Sequence, residues 1–494
     1  ICSDCYVHLL RVIETRMSRA SILWRIHLHL AAFSQLGVLT RIVIGRLFSG
    51  SCSGNGRWTW APCVTGSGLM VTGDTLFHDF PANVLGSFII GLLSTGSNLA
   101  AIYPCQCTTN NVSGLQLPSL PRNSKLQSDG ELHIGLRTGY CGSLTTFSSW
   151  FMQVVILMVG RSMPPGTVRG THWVQGMWAI YLGMSGPLFA LILGQHAALA
   201  AAAFWVAAEQ TSCRWQRPMW ATDVPAFKPI GTLTMQSTKA KPVLEAAEVA
   251  EVAADPAPEA AGAFGSVAVS TGGNPPPPAL VLEVADGKLL PANAEFAPTA
   301  ATAGVGLPAN TLGAAASDSA SPAPIRRLTR PAKLLVDVAA GSSFLTLTGV
   351  SLAYAYLDRS TTPKNHRRYW WFSILLGPAG CFLRWHLSHL NGWRDGWLQY
   401  GTFAANMLGC VLDYVCEALM FRLAGSLTNT QQVTLQGLMV GTAGCLTTVS
   451  TYVFEIQKLA LASPILAYKY FLASTVVPVA LGILVYGIPA WMGT

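Results

Sequence analysis

"GSLTTFSSW" runs from Gly142 to Trp150, and "GCLTTVSTY" runs from Gly444 to Tyr452. Both copies lie inside long apolar stretches, where a helix that merely sits in lipid has no use for paired threonines. A glycine followed closely by two β-branched residues is poor helix sequence. Each copy therefore predicts a break in a membrane-crossing segment, over Cys141–Thr145 and Ala443–Thr447. Backbone freed at membrane depth is tolerated only where it is buried in protein or lines water. The two breaks thus mark candidate functional ground.

The surrounding chain supports a membrane setting. Of its 494 residues 51% are hydrophobic and only 11% charged, against about 25% charged in soluble domains. Apolar runs near the ~20 residues needed to span a bilayer fall at 24–48, 76–102, 133–159, 174–207, 334–357, 370–390, 398–421, 432–459 and 465–490. That order is four, then one, then four. Between them Ala, Pro, Val, Gly and Ser dominate residues 209–332, with "GNPPPP" and "EAAEVAEVAADPAPEAA" as the extremes, a composition expected of a disordered linker. The expected plan is a basic flank over 1–20, a four-helix repeat over 21–208, the linker over 209–332, a single linking helix over 333–358 and a second four-helix repeat over 369–494.

The two repeats match landmark by landmark. "GVLTR" (37–41) pairs with "GCFLR" (380–384), setting Arg41 on Arg384. "ANVLGSFIIG" (82–91) pairs with "ANMLGCVLDY" (405–414), setting Asn83 on Asn406 and Gly86 on Gly409. Thr145 then falls on Thr447, Tyr181 on Tyr470 and Ser185 on Ser474. The order is kept and the offset shrinks steadily, as expected if only loops differ. Four-helix repeats joined directly would point the same way, and one extra span inverts the second. The expected fold class is an all-α polytopic membrane protein of two inverted four-helix repeats, with its sites near the midplane at the repeat interface.

This set of motifs, twice and in order, resembles the Fluc/CrcB fluoride channels. The doubled form with one joining helix resembles their eukaryotic two-domain fluoride export branch, FEX. The resemblance covers both membrane halves, not the linker or the extreme N-terminus. It implies a passive, fluoride-selective channel for export of cytosolic fluoride and fluoride resistance. Two narrow pores would run along the interface of an internal pseudo-dimer, so that one chain suffices in the membrane lipid. Plasma membrane is the location expected of an exporter. The resemblance also implies a structural sodium ion (Na+) held by backbone carbonyls of the breaks near Gly142, Thr145, Gly444 and Thr447.

The residues suit that chemistry. Carrying a strongly hydrated anion through hydrocarbon requires replacements for lost water. Asn83 and Asn406 offer amide N–H donors on otherwise apolar helices, and can equally bond between helices. A ring edge carries the positive part of the aromatic quadrupole, so edge-on rings favour a small anion without a fixed charge. The family has two phenylalanines here. This chain has Phe147 and Trp150 in one copy, Val449 and Tyr452 in the other. With rings of opposite halves sharing a pore, Phe147 joins Tyr452, whereas Val449 leaves Trp150 alone. Two unequal routes follow, one of them vestigial. Ser185 and Ser474 either extend a polar track or bond their own helices. Arg41 and Arg384 are expected to snorkel to the interface, with drawing anions into a vestibule as the other reading. Glu455 is an acid within a membrane helix, functional by default, with Gln153 as its counterpart.

Other classes find less support. The net charge of +8 is scattered, with no basic run interleaved with aromatics, so no nucleic-acid partner is expected. No phosphate loop or Ser/His/Asp set points to an enzyme. Cys105 and Cys107 form a lone CxC without metal-ligand spacing. An inverted-repeat secondary transporter of another small solute is the alternative, with Glu455 and Asp413 as coupling candidates. A non-transporting scaffold is the third reading. Arginines near the N-terminus and in alternate loops favour a cytoplasmic N-terminus, although Arg359, Lys364, Arg367 and Arg368 then lie outside. That topology leaves the sequon at Asn111 in the cytoplasm. Glycosidase treatment of the expressed protein should leave its mobility unchanged, and a glycan at Asn111 would overturn the orientation.

Overall fold

The computed structural model describes residues 3–49, 76–104, 112–160, 170–213, 329–358, 367–392 and 396–492. Asn111, the Cys105–Cys107 pair, the basic stretch 359–366 and all but the ends of the expected linker lie outside the described residues. No strand occurs among the described residues. The chain is an all-α polytopic membrane protein. Among the described residues seven helices are long and apolar enough to cross a membrane, and a bent pair makes an eighth crossing if counted as one.

The helices follow the expected order. α1 spans Ser3–Ser49; α2, Phe80–Leu92, bends by 97° into α3, Gly96–Ile102. The first broken span begins as α4, Gly130–Ile134, widens into a π turn over Gly135–Cys141, and closes with Gly142–Leu144. It resumes as α5, Ser148–Val159, followed by α6, Thr171–Cys213. The linking helix α7 spans Arg330–Leu357. The second half repeats the plan with α8 (Arg368–Ser388) and α9 (Tyr400–Arg422). α10 (Asn429–Gly437) again widens into a π turn, Leu438–Ala443, before Gly444–Leu446. α11 (Val449–Ala462) and α12 (Pro464–Gly482) complete it. α8 corresponds to the expected span 370–390 but is not among those seven helices.

α5 and α11, the resumed halves of the two broken spans, carry the main core. Phe147, Trp150, Phe151, Val154, Val155, Val449, Tyr452 and Val453 are all buried there. A second apolar cluster joins α1 to α8 through Leu30, Val38, Ile374 and Cys381. The linking helix packs on α1 and α8. Polar pairs fix its register: Asp337 accepts from Arg25 Nε at 2.7 Å and lies 3.0 Å from His29 Nε2, while Gln35 Nε2 donates to Thr348 Oγ1 at 2.9 Å.

The Asn-x-x-Gly motif has a packing reason. A Cβ on Gly86 would come within 2.4 Å of Thr145 Cγ2, and one on Gly409 within 2.2 Å of Thr447 Cγ2. Each glycine thus lets a helix lie directly against the break. Overpacking at such a contact costs about 1–3 kcal/mol. Gly409→Ala should lower stability by that amount in thermal unfolding of the detergent-solubilised chain. Gly349→Ala, whose Cβ would meet nothing within 4 Å in mid-helix α7, should be neutral or stabilising by up to ~1 kcal/mol.

Candidate functional site

The helix stops where the sequence reading expects it to. Thr145 (φ −95°, ψ 145°) and Thr447 (φ −91°, ψ 156°) are both extended. The next helix then begins with N–H groups that have no partner within their own turn. The paired threonines divide the work of satisfying them. The second of each pair caps its own helix: Ser149 N donates to Thr146 Oγ1 and Thr451 N to Thr448 Oγ1, both at 3.4 Å.

The first of each pair reaches across to the other copy. Phe147 N and Ser148 N donate to Thr447 Oγ1 at 3.1 and 3.2 Å. Ser450 N donates to Thr145 Oγ1 at 3.3 Å. The hydroxyls also meet one another: Thr145 Oγ1 lies 3.2 Å from Thr448 Oγ1, and Thr146 Oγ1 lies 3.2 Å from Thr447 Oγ1. All four threonines are buried.

Asn83 and Asn406 hold the same ground. Asn83 Oδ1 accepts from Thr146 N at 2.7 Å and its Nδ2 donates to Thr146 O at 2.9 Å. Asn406 does the same to Thr448, at 2.9 and 3.4 Å. Each carboxamide is thus committed to the break backbone, leaving one N–H for another acceptor.

The aromatic positions are unequal. Phe147 meets Tyr452 edge to face at 5.3 Å, and Tyr452 meets Tyr470 the same way at 5.3 Å. Ser474 on α12 is buried. Tyr470 hydroxyl donates to Glu455 Oε2 at 2.8 Å, and Thr402 Oγ1 donates to Glu455 Oε1 at 2.6 Å. Asn391 Nδ2 also reaches Glu455 Oε1, at 3.3 Å. A buried polar track therefore runs from the break along α11, α12 and the start of α9.

The counterpart positions form no such track. Tyr181 is 57% exposed, whereas Tyr470 is fully buried. Ser185 is half-buried, and Gln153 stands where Glu455 does. Trp150 is pinned into α6 by Nε1 donating to Ala179 O at 2.9 Å. Val449 is buried without a ring to offer. Asp79 stands where Thr402 does and accepts from Ser149 Oγ at 2.9 Å.

Sequence reading missed Tyr470, Thr402 and Asn391 as parts of this track. Thr402 is one helical turn before Asn406 and so shares its face, and Tyr470 had been matched to Tyr181; Asn391 carried no local signal.

Arg41 and Arg384 do not snorkel. They are 1% and 5% exposed, deep between the halves. Arg41 Nη1 donates to Gly444 O at 2.9 Å and its Nη2 to Val440 O. Arg384 Nη1 donates to Gly142 O at 2.5 Å and Thr447 O at 3.1 Å, and its Nη2 to Thr138 O at 2.5 Å. The snorkelling expectation fails because the π turns offer buried carbonyls within the arginines' reach. The same contacts bear on the sodium ion that the resemblance implies. Three of its four expected carbonyl positions, Gly142, Gly444 and Thr447, accept from guanidinium N–H groups, so a metal cation there would compete with buried positive charge.

A family model described as "CrcB-like protein, Camphor Resistance (CrcB)" matches residues 28–184 and 371–488. Fluoride export protein 1 of Neurospora crassa is 38% identical over 122 residues, 24% of this chain and 22% of that protein. Fluoride export protein 1 of Candida albicans is 37% identical over 130 residues, covering 25% and 33%. Fluoride-specific ion channel FluC 1 of Staphylococcus epidermidis is 39% identical over 83 residues, covering 17% and 64%. The chain therefore spans a third or less of the fungal relatives and under two thirds of the bacterial one. No solved structure matches the chain. The family match takes in more than half of the sequence and both threonine breaks, and the chain belongs to the CrcB-like family.

Proposed function

We propose that the chain is a passive, fluoride-selective channel, not an enzyme, that exports cytosolic fluoride across the plasma membrane and so gives fluoride resistance. The observation that carries this reading is the buried track from Phe147 and Tyr452 through Tyr470 to Glu455 and Thr402. The names of the fungal and bacterial relatives support fluoride as the ion. The repeats act as an inverted pair within one chain, embedded in lipid.

The track suits a small anion for physical reasons. Edge-presented rings offer positive quadrupole without a trapping charge. The hydroxyls of Tyr470 and Thr402 are donors, and Glu455, being acceptor-only when ionised, orients them. A fluoride arriving at the track competes with Glu455 for those protons and leaves as they return. Asn83 and Asn406 serve by holding the break backbone in place and by the one N–H each retains. The route through Val449 and Trp150 is vestigial: it lacks the second ring, and Asp79 adds an acid where the other route has Thr402.

One observation favours the transporter alternative. Asp413 and Glu417 are buried on α9, with no hydrogen-bond partner at Asp413 Oδ1 and Glu417 Oε2, and acids inside a membrane helix mark ion or proton pathways. A transporter would require a second ion gradient, whereas the channel requires only voltage.

Fluoride efflux from liposomes containing the purified chain, with valinomycin carrying the balancing potassium, separates these readings. Fast fluoride release with no chloride release is expected. Tyr470→Phe removes one hydrogen bond of about 0.5–1.5 kcal/mol and should slow release up to about tenfold, while Tyr181→Phe leaves it unchanged. Val449→Phe should raise the flux by restoring a ring to the vestigial route. Release that needs an imposed proton or sodium gradient would favour the transporter, and equal effects of the two tyrosine changes would sink the unequal-route reading.

A further inference from the structure

We propose that Arg41 and Arg384 replace a metal ion at the crossing of the two helix breaks, so that this chain folds and works without sodium. The inference concerns the cation that holds the breaks together and stands apart from which ion is conducted.

The argument starts from the π turns. Widening the helix over Gly135–Cys141 and Leu438–Ala443 releases carbonyls from the regular i→i−4 ladder. In the membrane those oxygens need donors or a cation. Each arginine supplies donors to the opposite half in the same register. Arg384, from the second half, takes Thr138 O and Gly142 O; Arg41, from the first, takes Val440 O and Gly444 O. In both cases the two oxygens are four residues apart, one turn of helix, which a planar guanidinium can bridge with its two outer nitrogens. Arg384 Nη1 also reaches Thr447 O at 3.1 Å, tying the two breaks together with one group.

The glycines that open both threonine phrases serve this contact. A Cβ on Gly142 would lie 2.4 Å from Arg384 Nη2, and one on Gly444 would lie 2.3 Å from Arg41 Nη2. Any other residue at these positions would displace the guanidinium. Glycine, wide turn and crossed arginine form one device, and it appears twice.

This device and a bound hard cation compete for the same carbonyl oxygens. Hard cations such as calcium sit about 2.3–2.6 Å from carbonyl oxygens. Gly142 O and Thr447 O already have Arg384 Nη1 within hydrogen-bond distance, so an ion coordinated by both would stand against a like charge in a low-dielectric interior. The arginine charge is permanent, since guanidinium does not lose its proton in proteins. Salt composition therefore cannot remove it.

The test is thermal unfolding of the full chain, purified in choline medium and titrated with sodium at constant ionic strength, with potassium as control. The expected midpoint is the same in choline, potassium and sodium, and fluoride efflux is the same in all three. Arg384→Ala frees Gly142 O and Thr447 O, and sodium is then expected to raise the midpoint of that variant but not of the parent chain. A midpoint of the parent chain that rises with sodium and not with potassium overturns the proposal, even if the variant fails to fold. Absence of efflux with a sodium-insensitive midpoint would count against the channel reading and leave the arginine proposal standing.

Discussion

A helix that stops inside a membrane leaves N–H groups that water cannot reach. Here the stops at Thr145 and Thr447 are satisfied by each other. Thr447 Oγ1 accepts from Phe147 and Ser148 of the first half, and Thr145 Oγ1 accepts from Ser450 of the second. Neither break is complete alone, so the two halves must meet at this point and in this register. The repeated phrase at 142–150 and 444–452 is a mutual capping device, and one copy of it would leave buried donors unpaired.

Much of the architecture follows from that contact. Asn83 and Asn406 clamp the next residue of each break from a neighbouring helix, and Gly86 and Gly409 bring those helices close enough to do so. Arg41 and Arg384 tie each break to the first helix of the other half through the carbonyls that the π turns release. Every landmark shared by the two repeats up to this point serves the crossing. The aromatic residues lie just beyond it, on α5 and α11, outside the mutual capping contact.

That position explains how the halves can differ. Phe147, Tyr452, Tyr470 and Glu455 form a continuous buried set, while Trp150 fills space against α6 and Tyr181 faces outward. Residues that hold the break must be kept in both copies because each caps the other. Residues beyond the break carry no such mutual requirement.

The sequence by itself determined the helical class, the order of spans, the two breaks and the pairing of landmarks across the repeat. These are local properties: apolar run length, glycine followed by threonines, and order along the chain. The pairing of Phe147 with Tyr452 is implied by the family resemblance, in which rings of opposite halves share a pore. Only the tertiary structure decided what the polar residues do. Arg41 and Arg384 read as interface anchors in sequence because a long basic side chain near a helix end can usually reach water. In the fold they turn inward, where carbonyls more than two hundred residues away in the chain accept from them. Asn391 and Thr402 gain their meaning in the same way, by proximity to Glu455. Such partnerships depend on where another segment's lone pairs point, and no spacing within a single segment encodes that.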